Sequence, residues 1–251
     1  MRFTNQVAIV TGAGSGIGYA IAEQLAQEEA SVVLNDLDAS LAQSAAQRIS
    51  PTHCHAHPGD MASLADLEEL VDRTLQQFGR IDLLVANAGL THFADFFATT
   101  PEDFQRVIDL NLRGTFFLVQ AVARRMKESG RGGQIVLISS IVSLRACPSM
   151  AVYAMSKAAL NAMATNLVLD LAPLNIRLNT VAVGATLTER TRHEGEDYEQ
   201  TWDALTPRGR VGQPNDIAQT VLFLLSEESG HIVGQTIVVD GGWTAVGRFP
   251  S

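Results

Sequence analysis

Gln6-Val7-Ala8-Ile9-Val10-Thr11-Gly12-Ala13-Gly14-Ser15-Gly16-Ile17-Gly18 is the stretch that decides how this chain folds. Gln6–Thr11 is a short apolar run, the pattern of a strand covered on both faces. A glycine cluster follows, and a helical pattern continues to about Gln27. A glycine-rich turn between a strand and a helix N-terminus points backbone N–H groups at an anion, and residues without Cβ let a pyrophosphate come close. The spacing is not the usual Gly-x-Gly-x-x-Gly. Counting from Gly12, the sixth place is Ile17, and the glycines fall at Gly12, Gly16 and Gly18. Alone, the loop also reads as a plain strand-to-helix turn.

Outward from this loop, short apolar runs alternate with helical patterns. Ser31–Asp36, Thr52–His57, Ile81–Ala86, Gln134–Ser139, Ile176–Val181 and Thr236–Val239 read as strands. Ala39–Ile49, Leu64–Phe78, one long helix from Pro101 to about Glu128, Ala151–Leu171 and Pro214 to about Leu225 read as helices. Residues 185–213 read as polar and irregular. Strand and helix in alternation predict a doubly wound parallel sheet with helices on both faces. No linker, repeat or low-complexity tract interrupts it, so residues 1–251 are expected to form one α/β domain. Its cofactor half is about 1–130 and its catalytic and substrate half about 131–251.

Asp36 ends the second strand, about twenty residues beyond the glycine loop. A carboxylate there accepts hydrogen bonds from both adenosine ribose hydroxyls and repels a 2′-phosphate. Ser15, Tyr19 and Leu37 offer no cation for such a phosphate, so the expected cofactor is NAD rather than NADP. The alternative for Asp36 is a helix-capping or turn residue.

Tyr153 and Lys157 stand four residues apart on a predicted helix and therefore share a face. An ammonium beside a phenol favours the phenolate, which equips the hydroxyl for proton transfer near neutral pH. Ser140 ends the preceding strand thirteen positions earlier, where its hydroxyl could hold a substrate oxygen.

With these residues in this order, the chain resembles the classical short-chain dehydrogenase/reductase family over nearly its whole length. The resemblance is carried by Thr11–Gly18, Asp60, Asn87-Ala88-Gly89, Asn111, Ser140, Tyr153-Ala154-Met155-Ser156-Lys157, Gly184 with Thr188, and Asp240-Gly241-Gly242. It implies a seven-stranded Rossmann-like sheet and hydride transfer between NAD and a small secondary alcohol or ketone. A sugar, polyol or other hydroxy/oxo compound is included in that class. Tyr153 would be the general acid/base, Ser140 would orient the substrate, Lys157 would also hold the nicotinamide ribose, and Asn111 would anchor a water in a proton relay. Expected cofactor contacts are Gly12, Ser15, Gly16, Ile17, Gly18, Asp36, Leu37, Asp60, Met61, Asn87, Ala88, Gly89, Tyr153, Lys157, Gly184, Thr186 and Thr188. Arg145 joins Ser140 and Tyr153 as an expected substrate contact, with a solvated surface residue as its alternative. Family members usually form tetramers through the helices here at 101–128 and 151–171 and through the last strand. Phe116, Phe117, Leu118, Leu167 and Leu169 suit such an interface or the core. The sequence departs from the family at Ala86 (often Asn), at Ser143 (often Gly) and at Val183. Pro usually holds the last of these positions before Gly184, and its loss would leave that loop less rigid.

Composition limits the alternatives. Hydrophobic residues make up 46% and charged residues 18%, enough for a sizeable core. A net charge of −9 argues against nucleic acid and against anionic lipid as partners. No apolar stretch is long enough to span a bilayer and no signal segment is visible. With two cysteines, Cys54 and Cys147, a reducing cytoplasm is expected. His53, His55 and His57 could bind zinc from one face of a strand, but a polar edge strand explains them and no metal is expected. Phe93, Phe96 and Phe97 read as packing, and Glu194–Glu199 as a solvated lid or helix. The 185–213 loop is expected to close over the substrate, and its polar content does not announce a steroid or a long acyl chain. Two competing functions remain: an NADPH-dependent 3-oxoacyl-type reductase, and a catalytically silent NAD-binding regulator.

Overall fold

In the computed structural model, residues 1–193 and 197–246 are described. The run of apolar residues after Gln6 forms β1 (Val7–Thr11), and all five of its residues are buried. Burial on both sides follows from the sheet, in which seven parallel strands stand in the order β3-β2-β1-β4-β5-β6-β7. The strands are β1, β2 (Ser31–Asn35), β3 (Cys54–Ala56), β4 (Leu83–Ala86), β5 (Gly133–Ser140), β6 (Ile176–Val183) and β7 (Thr236–Val239). The helices are α1 (Gly16–Gln27), α2 (Ala39–Ile49), α3 (Leu64–Phe78), α4 (Pro101–Ile108), α5 (Thr115–Ser129), α6 (Ala151–Asn166), α7 (Val168–Leu171), α8 (Tyr198–Leu205) and α9 (Pro214–Leu225).

Because side chains alternate across a strand, β1 feeds two cores. Ala8 and Val10 join Ile21 and Leu25 of α1 and Val221 and Leu222 of α9. Ile9 faces the other way, onto Leu67 and Leu70 of α3, Leu118 and Val122 of α5, and Leu160 of α6. Each fully buried Leu or Ile contributes about 1.5–3 kcal/mol, so these two layers hold the sheet. Leu118 therefore belongs to the core, whereas Phe116, Phe117 and Leu169 are exposed.

Helix ends follow local chemistry. The Asp38 carboxylate accepts from the backbone N–H of Ser40 and Leu41 to open α2, and Gly79 closes α3 with φ 70°. One cap is long-range. Buried Arg177 of β6 donates to the carbonyls of Leu224, Ser226 and Ser229, placing a cation at the C-terminus of α9.

Three expectations are corrected. The long helix from Pro101 is divided by a π-helical turn at Asp109–Gly114. The wider turn brings Asn111 inward and seats Gly114 against the main chain of Met61, where a Cβ would lie 2.0 Å from the carbonyl oxygen. The helix from Ala151 ends at Asn166, and the short α7 follows it. The stretch 185–213 is not simply irregular. It contains a 3₁₀ turn at Thr191–His193 and α8, whose apolar ring contacts are invisible to a polarity count. Of the acidic run, residues 194–196 lie outside the described residues.

No helix among the described residues is long and apolar enough to cross a membrane. Cys54 and Cys147 are both free, the first with its thiol pushed up to about 12 by burial. His55 packs edge-on against Phe78 and shares a hydrogen bond with Gln77, and burial holds His55 and His57 below the usual imidazole range. No group of three or more His, Cys, Asp or Glu side chains converges on a metal position among the described residues.

Candidate active site

The strand order reverses between β1 and β4, where successive connections leave the sheet in opposite directions, and a doubly wound sheet opens a crevice at such a point. Here a cleft of about 620 Å³ runs along the C-terminal strand ends. Its first half is lined by Gly12, Ser15, Gly16, Ile17, Asp36, Leu37, Asp60, Met61 and Asn87–Gly89.

Backbone dominates this half. Gly12 has φ +60°, and a Cβ there would stand 3.0 Å from the Ala88 Cα. A Cβ on Gly18 would stand 2.2 Å from the Gly12 carbonyl oxygen, so Gly18 lies behind the loop and lets α1 close onto it. Asn87 fixes the two loops together: its Nδ2 donates to the carbonyls of Thr11 and Gly12, each at 2.9 Å. In return the Thr11 hydroxyl accepts from the N–H of Asn87 and of Ala88. The Asp36 carboxylate accepts from Gly14 N–H at 3.0 Å and Asp38 N–H at 3.2 Å, which fixes both oxygens at the cleft rim. Buried Asn35 holds the next loop through the carbonyls of His57 and Gly59, and Asp60 closes its own turn on Ala62 N–H.

The second half is lined by Ser140, Tyr153, Lys157, Gly184, Thr186 and Thr188 among others. Tyr153, Lys157 and Asn161 succeed one another every four residues on α6 and share one face. Lys157 is 4% exposed, and its Nζ donates to the Ile138 carbonyl at 2.7 Å and lies 5.7 Å from the centroid of the Tyr153 ring. Burial lowers its pKa from 10.5 to about 8. A Cβ on Gly89 would stand 3.2 Å from this Nζ, so that glycine leaves the ammonium its space.

The turn after β5 is tied to the same helix face. Ser139 Oγ donates to the Lys157 carbonyl, Ser143 Oγ donates to the Ser140 carbonyl, and Asn161 Nδ2 donates to Ser143 Oγ at 2.9 Å. Ser140 Oγ accepts from Val142 N–H at 3.4 Å, which leaves its own O–H for another acceptor. Ser143, where a glycine was the family expectation, is thus a strut, and its partner Asn161 was missed. Only the i, i+4 spacing from Lys157 hinted at Asn161.

Asn111 is fully buried and does not line the cleft. Its amide donates to the Leu90 carbonyl and to Ser156 Oγ, and its Oδ1 accepts from Leu90 N–H at 2.7 Å. The loop after β6 is held by a residue that sequence reading overlooked. Thr191 Oγ1 accepts from Thr188 N–H and donates to the Thr186 carbonyl. Despite Val183 in place of Pro, Gly184 N–H extends the ladder to the Val239 carbonyl, so the loop is anchored at its start. Arg145 is not brought into the cleft: it is exposed, and its Nη2 donates to the Thr244 carbonyl at 2.6 Å.

The sequence profile of a family described as Enoyl-(Acyl carrier protein) reductase matches residues 12–244. An uncharacterised oxidoreductase of Methylorubrum extorquens is 38% identical over 96% of this chain and 98% of its own length. A 3-oxoacyl-(acyl-carrier-protein) reductase of Thermotoga maritima is 37% identical, covering 96% of this chain and 99% of the relative. Among solved structures, a gluconate 5-dehydrogenase from Burkholderia cenocepacia in complex with NADP and tartrate superposes with a TM-score of 0.90 and 34% identity, over 98% of this chain and 97% of that one.

Proposed function

We propose a specific activity from one premise: this chain belongs to the short-chain dehydrogenase/reductase family, whose members are nicotinamide-dependent oxidoreductases. The proposed reaction is hydride transfer between NAD and a small secondary alcohol or ketone. The observation that carries it is the buried Lys157 ammonium, held by the Ile138 carbonyl against the Tyr153 ring.

The residues present fit a dinucleotide. Gly12 and Gly16 occupy backbone conformations that keep side chains out of the cradle, and α1 begins directly behind it. Ser15, Ile17, Leu37, Met61, Ala88, Thr186 and Thr188 complete the proposed contacts. The bound cofactor supplies or accepts the hydride. Tyr153 gives its hydroxyl proton to the substrate oxygen during reduction and takes it back during oxidation. Lys157 stabilises the phenolate and holds the nicotinamide ribose. Ser140 donates a hydrogen bond where negative charge grows on the substrate oxygen. Asn111, with no side-chain donor directed at the cleft, supports the proton relay by fixing Leu90 and Ser156 in place. Reading NADH absorbance in both directions over a panel of alcohols and ketones tests this; complete inactivity with every secondary alcohol and ketone refutes it.

Asp36 supports NAD over NADP, since the cations lining the cleft among the described residues are Lys157 and Arg190 and neither follows β2. A second reading, an NADPH-dependent 3-oxoacyl-type reductase, draws on the Thermotoga relative and on the NADP-bound neighbour. Titrating both cofactors separates the two. The proposal extends to one domain, to a cytoplasmic setting suited to two free thiols, and to a homotetramer. Exposed Phe116, Phe117 and Leu169 support the last, and light scattering of the purified protein tests it.

A further inference from the structure

The reactant end of the cleft has a chemistry of its own. Beyond Ser140 and Tyr153 its wall includes Phe93, Val142, Met150, Tyr198, Trp202 and Trp243, while Thr91, Thr191 and Arg190 also line the cleft. These residues come from the loop after β4, the turn after β5, the start of α6, helix α8 and the turn after β7. The carboxylate and amide side chains lining the cleft among the described residues are Asn35, Asp36, Asp60 and Asn87, at the end of β2 and on the loops of the first half.

The aromatic wall is set in advance. Trp202 meets Trp243 edge to face at 5.8 Å, and Tyr198 stands 6.3 Å from Trp202. Trp243 sits on a turn made by Gly241 and Gly242, both with positive φ, where the Asp240 carboxylate accepts from Gly242 N–H and Thr244 N–H. Arg145 clasps that turn through the Thr244 carbonyl. Asp203 ties α8 to the following loop by accepting from Val211 N–H. Little ordering of these rings is left for a ligand to bring about.

Resting on the oxidoreductase reading above, we infer that the substrate is a ring-bearing secondary alcohol or ketone with an apolar carbon skeleton, bound against Trp202 and Trp243, rather than a sugar or polyol. A polyhydroxylated substrate buried here would lose water from each hydroxyl and find no carboxylate or amide side chain in exchange, and each one left unpaired weakens binding. An alicyclic or aromatic ring gains apolar burial and edge or face contact with the two indoles. Ser140 and Tyr153 satisfy the single oxygen that reacts.

The two tryptophans of this chain are both in this wall, so intrinsic tryptophan emission reports on it directly. The experiment uses the full chain with its cofactor, 1-tetralone and cyclohexanone as ring ketones, and glycerol and a hexose as polyols. The ring ketones are expected to shift the emission saturably and to exceed the polyols at least tenfold in kcat/KM. Trp202→Ala is expected to lose most of that preference, and Trp202→Phe, which keeps an aromatic wall and guards against misfolding, to retain it. Turnover of the polyols with a higher kcat/KM, or emission unmoved by either ring ketone, overturns the inference while leaving hydride transfer standing. A saturable shift with no NADH consumed or formed with any alcohol or ketone of the full panel supports the pocket chemistry and overturns the proposed hydride transfer instead.

Discussion

The two ends of the cleft are built by opposite means. At the β1–β4 end the wall is main chain, and its shape comes from atoms that are missing: no Cβ at Gly12 facing Ala88, none at Gly18 against the Gly12 carbonyl. At the reactant end the wall is side chain, contributed by segments as far apart as Leu90 and Trp243. A site defined by absent atoms tolerates almost no substitution, and its ligand is shared by many proteins. A site defined by side chains can be rebuilt ring by ring without moving the backbone, which is how one fold serves many substrates.

Several substitutions would break or sharpen this contrast. The largest effect is expected from Tyr153→Phe, where turnover falls by about 10³-fold or more while NADH affinity, read by fluorescence titration, stays near wild type. Retained activity would remove Tyr153 from the chemistry. Gly18→Ala should act at the other end, weakening NADH binding by about 100-fold through displacement of the loop and lowering the melting temperature. Unchanged binding would mean the loop can yield. Asp36→Ala should raise NADPH preference over NADH about tenfold by removing like-charge repulsion, read as the ratio of the two kcat/KM values.

A smaller effect is one of slope. Lys157 has a native pKa of about 8 against an ordinary 10.5, so between these values the unfolded chain binds more protons than the native one. Stability of the cofactor-free protein relative to Lys157→Met should therefore rise with pH across that window, by at most about 1.4 kcal/mol per pH unit. A flat difference in denaturant midpoint would place the ammonium in a wetter site. The smallest change is expected for Ser143→Ala, which removes one strut to the Ser140 carbonyl at about 1 kcal/mol. It should lower kcat several-fold with NADH affinity intact, and Ser143→Thr should restore it.

The sequence and the structure agree most closely where the decisive contacts are local. Ala39–Ile49, Leu64–Phe78, Pro214–Leu225 and Thr236–Val239 have the bounds that periodicity and caps predict. The glycine loop, Asp36, Ser140, Tyr153 and Lys157 all line one cleft. What local reading missed depends on distant partners. Asn111 turns inward because the backbone widens beside Met61, and Thr191 matters because of the carbonyl at Thr186. Arg145 points at Thr244 rather than into the cleft, and Arg177 serves carbonyls some fifty positions away.

The order of elements and the continuous apolar runs of the strands were enough to establish a parallel sheet, because burial on both faces leaves a mark at every strand position. The glycine spacing and the Tyr153–Lys157 spacing were enough to locate the crevice and two side chains that line it, since each pattern lies within one or two turns of chain. The chemistry of the reactant end was decided only in three dimensions. Its polar-looking loop coils into α8 and brings Trp202 against Trp243, forty-one residues later in the chain. Residue type fixes what a side chain can do, but neighbours so remote in sequence meet only when the whole sheet has formed.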